Sequence, residues 1–127
     1  MLMEEITQSG IVAGAETSRA SPNPSVVGDL ILHEFHSRIF RNARMLRVWL
    51  PPGYHDPENK DRHYPVFYLN DGQNLFDRAT AFAGVEWQAD ETADRLIRED
   101  KIPPLIIVGI DHAQKDRVKE YICYSAE

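Results

Sequence analysis

The sequence predicts an α/β fold, a mixed sheet of about four strands with one main helix packed on it. Three observations carry this. YPVFYL (64–69) and LIIVGI (105–110) are apolar at nearly every position, as parallel strands buried on both faces are. Between them, VEWQADETADRLIREDKIPP sets Ala89, Ala93, Leu96 and Ile97 on one helical stripe. Upstream, MLRVWL (45–50) alternates. Leu46, Val48 and Leu50 share one side and Arg47 sits on the other, the period of a half-exposed antiparallel strand.

Residues 1–28 are rich in Gly, Ser and Pro and poor in large apolar groups. They read as a flexible tail, because such a segment buries too little to offset its ordering entropy. Residues 29–127 form the domain. LILHEF (30–35) is its first strand and MLRVWL its second, ended by Pro51-Pro52-Gly53, since proline donates nothing to a ladder. The polar run HDPENKDRHY then connects to the third strand, 64–69.

That strand runs into Asn70-Asp71-Gly72-Gln73-Asn74. Asp-Gly after a β-run suits a hairpin. It equally suits a strand that stops abruptly and leaves N–H groups facing a ligand. No partner strand follows, so the second reading holds. The helix comes next, near Glu86–Asp100, acidic in its first half and basic at its end, which complements the helix dipole. Glu91–Arg95 and Asp94–Arg98 have i,i+4 spacing, and Pro103-Pro104 stops the helix. Strand, helix, strand makes a βαβ unit with a right-handed crossover, and its two strands should be parallel.

Composition narrows the function. A chain of 127 residues fits one domain. A formal charge of −6 with scattered basic residues argues against gripping nucleic acid or anionic lipid. Cys123 stands alone, so neither a disulfide framework nor a Cys-based zinc site is expected, and a reducing compartment suits it. The N-terminus lacks the basic and apolar regions of a signal peptide, and no run is long enough to span a membrane. A soluble, cytoplasmic protein is the expectation.

In open α/β sheets, ligands bind beyond the carboxyl ends of the strands. The two parallel strands bring Asp71–Asn74 and Asp111–Gln114 to that end. Gly72 lets the backbone turn, leaving the N–H groups of Gln73 and Asn74 to face a cavity, an arrangement suited to an oxyanion or a phosphate. Phosphate is the weaker choice, because none of the seven glycines falls in a nucleotide-binding motif. A metal site would use Asp71, Asp111 and His112. Yet Leu75 breaks the calcium-loop pattern, the five histidines lack zinc spacing, and the two aspartates serve equally as turn caps. No cofactor is expected.

RVWLPPGY, YPVFYLNDGQNLFD, the W-x-x-D-E-x-x-x-x-L helix, IIVGID and R-x-x-E-Y together resemble the first half of the Putative esterase family, over roughly residues 30–124. The family comprises α/β-hydrolase-fold proteins related to esterase D, feruloyl esterases and enterochelin esterases. The resemblance implies a partial α/β-hydrolase sheet in the strand order 1-2-4-3, and carboxylic-ester hydrolysis by a Ser–His–acid triad. It makes Gly72, Gln73 and Asn74 the oxyanion-hole candidates, Gln73 N–H foremost. Asp71, Asp111, His112 and Trp87 would line the pocket, although an aromatic such as Trp87 at a helix start is more often core. Arg117, Glu120 and Tyr121 match R-x-x-E-Y and would shape the wall through an ion pair and a packed ring.

The nucleophile elbow G-x-S-x-G is absent. Ser9, Ser18, Ser21, Ser25, Ser37 and Ser125 all lack the flanking glycines, and Cys123 has no strand–elbow–helix setting. No catalytic nucleophile is therefore assigned. Two functions are expected to compete. The first is the N-terminal portion of an ester hydrolase, inactive as this chain alone and acting on a small ester only when completed. The second is a non-catalytic module that binds a small molecule or a protein. In either case self-association or a partner chain should cover the third strand.

Overall fold

A computed structural model of the chain describes residues 17–19 and 24–122. Its strands are β1 (Thr17–Arg19), β2 (Asp29–Ser37), β3 (Asn42–Leu50), β4 (Val66–Asn70) and β5 (Ile106–Ile110), and its helices are α1 (Ala89–Arg98) and α2 (Arg117–Tyr121). The apolar runs pair as their composition requires. β4 and β5 are parallel, Val66 opposite Ile106 and Asn70 opposite Ile110. β2 and β3 are antiparallel, and β3 pairs antiparallel with β5.

The sheet as a whole corrects the sequence expectation. Among the described residues it has five strands in the order β1-β2-β3-β5-β4, not about four in the order 1-2-4-3, and two helices accompany it in place of one. The added strand is three polar residues long, too short for a periodic signal, yet it pairs with the outer edge of β2. There Thr17 lies opposite His33, with its hydroxyl 3.0 Å from Nδ1. α2 is five residues long and buries none of them, so no apolar stripe announces it. Part of the stretch read as a tail, residues 1–16 and 20–23, lies outside the described residues. Within its described part, the Val27 carbonyl accepts a hydrogen bond from Trp49 Nε1 at 2.7 Å.

One face of the sheet packs against α1. Leu30, Trp49, Leu75, Phe76 and Ile107 close around Ala93 and Ile97, so the helical stripe meets the layer it was spaced for. On the helix surface Arg98 bonds Asp94 at 2.8 Å. Arg95 pairs with Glu99 rather than with Glu91, which turns toward Glu86 and Asp90.

On the other face Ile31, Val48, Leu50, Ile106 and Val108 pack with Tyr54, Tyr64 and Val66. Beside them lies an open depression of about 760 Å³, whose lining includes Phe35, Leu46, Tyr68, Val108 and Ile110. β4 is the sheet edge among the described residues, and Phe67 and Tyr68 on it are 55% and 65% exposed. Its apolar run had suggested a strand covered on both sides. No helix among the described residues is long and apolar enough to cross a membrane.

Candidate functional site

Where β4 ends, the chain turns without reversing into a hairpin. Asp71 takes the left-handed conformation (φ 55°, ψ 46°), and Gly72–Asn74 form one turn of 3-10 helix. Aspartate tolerates that region better than most residues. The sequence had placed the conformational demand on Gly72. The structure places it one residue earlier, and glycine is needed for a different reason. A Cβ at Gly72 would lie 2.6 Å from the Gly109 carbonyl carbon and 2.8 Å from Asp111 Oδ1. The facing residue, Gly109 of β5, has the same constraint, since its Cβ would meet Gly72 Cα at 3.0 Å. Two glycines let the turn lie directly on the neighbouring strand.

This contact fixes the two strand-end loops against each other. The His112 N–H donates to Gln73 Oε1 at 3.2 Å, so Asp71–Asn74 and Asp111–His112 meet at one end of the sheet. Gln73 is buried, and its Nε2 has no hydrogen-bond partner among the described residues. The turn closes through the N–H groups of Asn74, to Asp71 O, and Leu75, to Gly72 O. The first N–H groups of a helical turn have no partner within it. Those of Gly72 and Gln73 are in that position, whereas that of Asn74 is used by the turn. Asn74 instead organises the next segment, since its Oδ1 accepts from Phe82 N–H and its carbonyl from Trp87 N–H, both at 2.8 Å. Thr80 Oγ1 donates to the Gln73 carbonyl at 2.8 Å.

Two arginines hold the two aspartates. Arg47 on β3 donates through Nε (2.7 Å) and a terminal nitrogen (2.9 Å) to the Asp111 carboxylate. The sequence put Arg47 on a solvent-facing side, but it is buried, at 8% exposure. The reason is Asp111, 64 positions away, which neutralises it and satisfies its fork. At the rim, Arg117 of α2 binds Asp71 in the same bidentate way, at 2.9 and 2.8 Å, and lies 5.0 Å over the Tyr121 ring. The hydrogen bond from Arg117 holds the Asp71 carboxyl below its ordinary range, against the opposing effect of burial. Glu120 pairs with Arg44 of β3, which pins the other side of α2 to the sheet.

With both carboxylates engaged by guanidinium groups, Asp71 and Asp111 act as anchors of the loops. His112 accepts from Gln114 N–H through Nδ1 at 2.9 Å. Trp87 is not core, being 60% exposed, but its backbone is tied to the Asn74 turn. Sequence reasoning missed the Arg47–Asp111 and Arg117–Asp71 pairs. The only signal was R-x-x-E-Y, which named Arg117 without naming its acid. Cys123 and Ser125 lie outside the described residues.

Residues 37–125 match the family model described as Putative esterase. Among solved structures, one described as a ferulic acid esterase aligns at 22% identity and a TM-score of 0.47, over 76% of this chain and 31% of its own length. The chain thus spans about a third of that structure.

Proposed function

From the premise that the chain belongs to the Putative esterase family, within the α/β-hydrolase superfamily, we propose that it supplies the oxyanion side of a carboxylic-ester hydrolase site. The observation that carries this is the turn after β4, pressed onto β5 by Gly72 and Gly109, with the Gln73 N–H outside the turn's own bonds. In ester hydrolysis the negative charge develops on the former carbonyl oxygen. Donors fixed beforehand stabilise it most, because they need not reorganise during reaction. Gln73 is held in three ways: by its Oε1 bond to His112, by Thr80 on its carbonyl, and by the strand beneath. Gly72 is the second candidate donor. Asp71, Asp111, His112 and Trp87 form the surrounding wall, with the two aspartates each held by an arginine.

The 127 residues contain no G-x-S-x-G, so the reading assigns the nucleophile, and the donor that follows it, to residues outside this sequence. Turnover of a short activated ester should not exceed the buffer rate with this chain alone. It should appear when the nucleophile-bearing half of a family member is added. Turnover by the chain alone, lost in Ser125→Ala or Cys123→Ala, would overturn the proposal. The lone Cys123 fits a reducing compartment, and the cytoplasm is the proposed location.

A second reading, a non-catalytic binding module, is favoured by the open apolar depression beside β4. An edge that no strand among the described residues pairs, carrying exposed Phe67 and Tyr68, is a template for another strand. Self-association or a partner chain would cover it. Light scattering that finds a monomer at high concentration would count against this reading.

A further inference from the structure

Away from the strand-end turn, the segment leading into α1 carries a second cluster. One carboxylate oxygen each from Glu86, Asp90 and Glu91 lie within 4.8 Å of one another. Glu86 and Asp90 are 7% and 0% exposed. Asp90 Oδ2 accepts the Val27 N–H at 2.7 Å, and Glu86 has Arg78 Nε at 3.4 Å. Asp90 Oδ1, Glu91 Oε2 and both Glu86 oxygens have no hydrogen-bond donor among the described residues.

Buried carboxylates without donors are costly unless a cation or proton compensates them. Three ionised groups carry −3. Arg78 and the roughly +0.5 of the helix N-terminus leave more than one negative charge uncompensated. Arg78 is also largely exposed, so it contributes through a solvated arm.

We propose that Glu86, Asp90 and Glu91 form a site for a hard divalent cation of the calcium type. The donor set is entirely oxygen, which excludes the soft metals and suits calcium or magnesium. Opposite ligands on calcium stand roughly 4.6–5.2 Å apart and on magnesium about 4.0–4.2 Å. A spread of up to 4.8 Å lies within the span of ligands around one such ion, and calcium, with its larger and more flexible coordination sphere, demands less of their arrangement than magnesium. Asp90 offers Oδ1 inward while Oδ2 keeps Val27, so one residue would connect the ion to the strand entering β2. The ion would hold three pieces together: the start of α1, the Arg78–Glu86 segment and Val27. Its role would be structural, since Trp87, next to Glu86, donates its N–H to the Asn74 carbonyl and so ties this segment to the turn. Without an ion, burial and the neighbouring Glu91 carboxylate push the Asp90 carboxyl up to about 7, so a proton is the competing occupant.

The test uses the whole chain, stripped of metal by a chelator. Added calcium chloride should raise the melting temperature by about 5 °C in a saturable way, with less from magnesium and none from sodium chloride at matched ionic strength. Glu91→Gln should abolish the rise. In case that variant does not fold, terbium is the second probe on the unaltered chain. Trp87, next to Glu86, should sensitise terbium emission, and excess calcium should remove it. No calcium-specific rise, an equal rise in Glu91→Gln, or emission indifferent to calcium would overturn the site.

Discussion

Two arginine–aspartate pairs flank the turn after β4, alike in chemistry and different in setting. Arg47–Asp111 sits beneath it with side chains 10% and 13% exposed, while Arg117–Asp71 closes its rim with the arginine side chain 44% exposed. Both are bidentate at nearly the same distances. What differs is the medium. Water screens the rim pair, and a short helix that can fray carries its arginine. The lower pair spans two strands that cannot move apart without breaking the sheet. The comparison teaches that the floor of the site is fixed by the fold, whereas its rim is held by an interaction that solvent can replace.

The largest expected effect breaks the floor. Arg47→Ala removes the partner of the nearly buried Asp111 carboxylate, and should cost about 3 kcal/mol in urea unfolding. A loss under about 1 kcal/mol would mean that the pair is not desolvated. Next is Gly72→Ala, which pushes a methyl into the Gly109 backbone and should cost about 2 kcal/mol through overpacking. If Gly72→Ala melts like the parent, the close approach of turn and strand is wrong. Arg117→Ala at the rim should move the melting temperature by about 2 °C or less.

The smallest effect is in acid. The Asp71 carboxyl titrates below its ordinary value of 3.8 because Arg117 bonds its charged form. Its contribution is therefore complete above that value and is lost as the pH falls through the lower, folded-state value. The stability difference between parent and Arg117→Ala should be constant from pH 7 to 5, shrink once the pH falls below 3.8 and vanish below the lower, folded-state value. A difference that grows on acidification would contradict the pairing.

The sequence made the parts of this site with strong periodicity legible. The parallel pairing of β4 and β5, the α1 stripe and the non-hairpin turn at Asp71–Gly72 all follow from patterns local to each segment and from the order of the segments. What stayed hidden depends on distant partners. Arg47 looks exposed until Asp111 is beside it, and Glu91 looks like the partner of Arg95 until the chain brings Glu86 and Asp90 near. β1 was missed because three polar residues gain their strand character only from the free edge of β2. The role of Gly72 was read as conformational freedom, and only the position of Gly109 shows that it is clearance.

The central claim is that the Gln73 N–H, and not its side chain, is the oxyanion donor. It is tested most directly by comparing Gln73→Ala with Gln73→Pro in the chain mixed with the nucleophile-bearing half of a family member. Alanine keeps the N–H and loses the bond to His112, so its rate should stay within about tenfold of the parent. Proline removes the N–H and should reduce the rate by about 10²–10³. Equal rates in the two variants, or a proline variant as fast as the parent, would contradict the account.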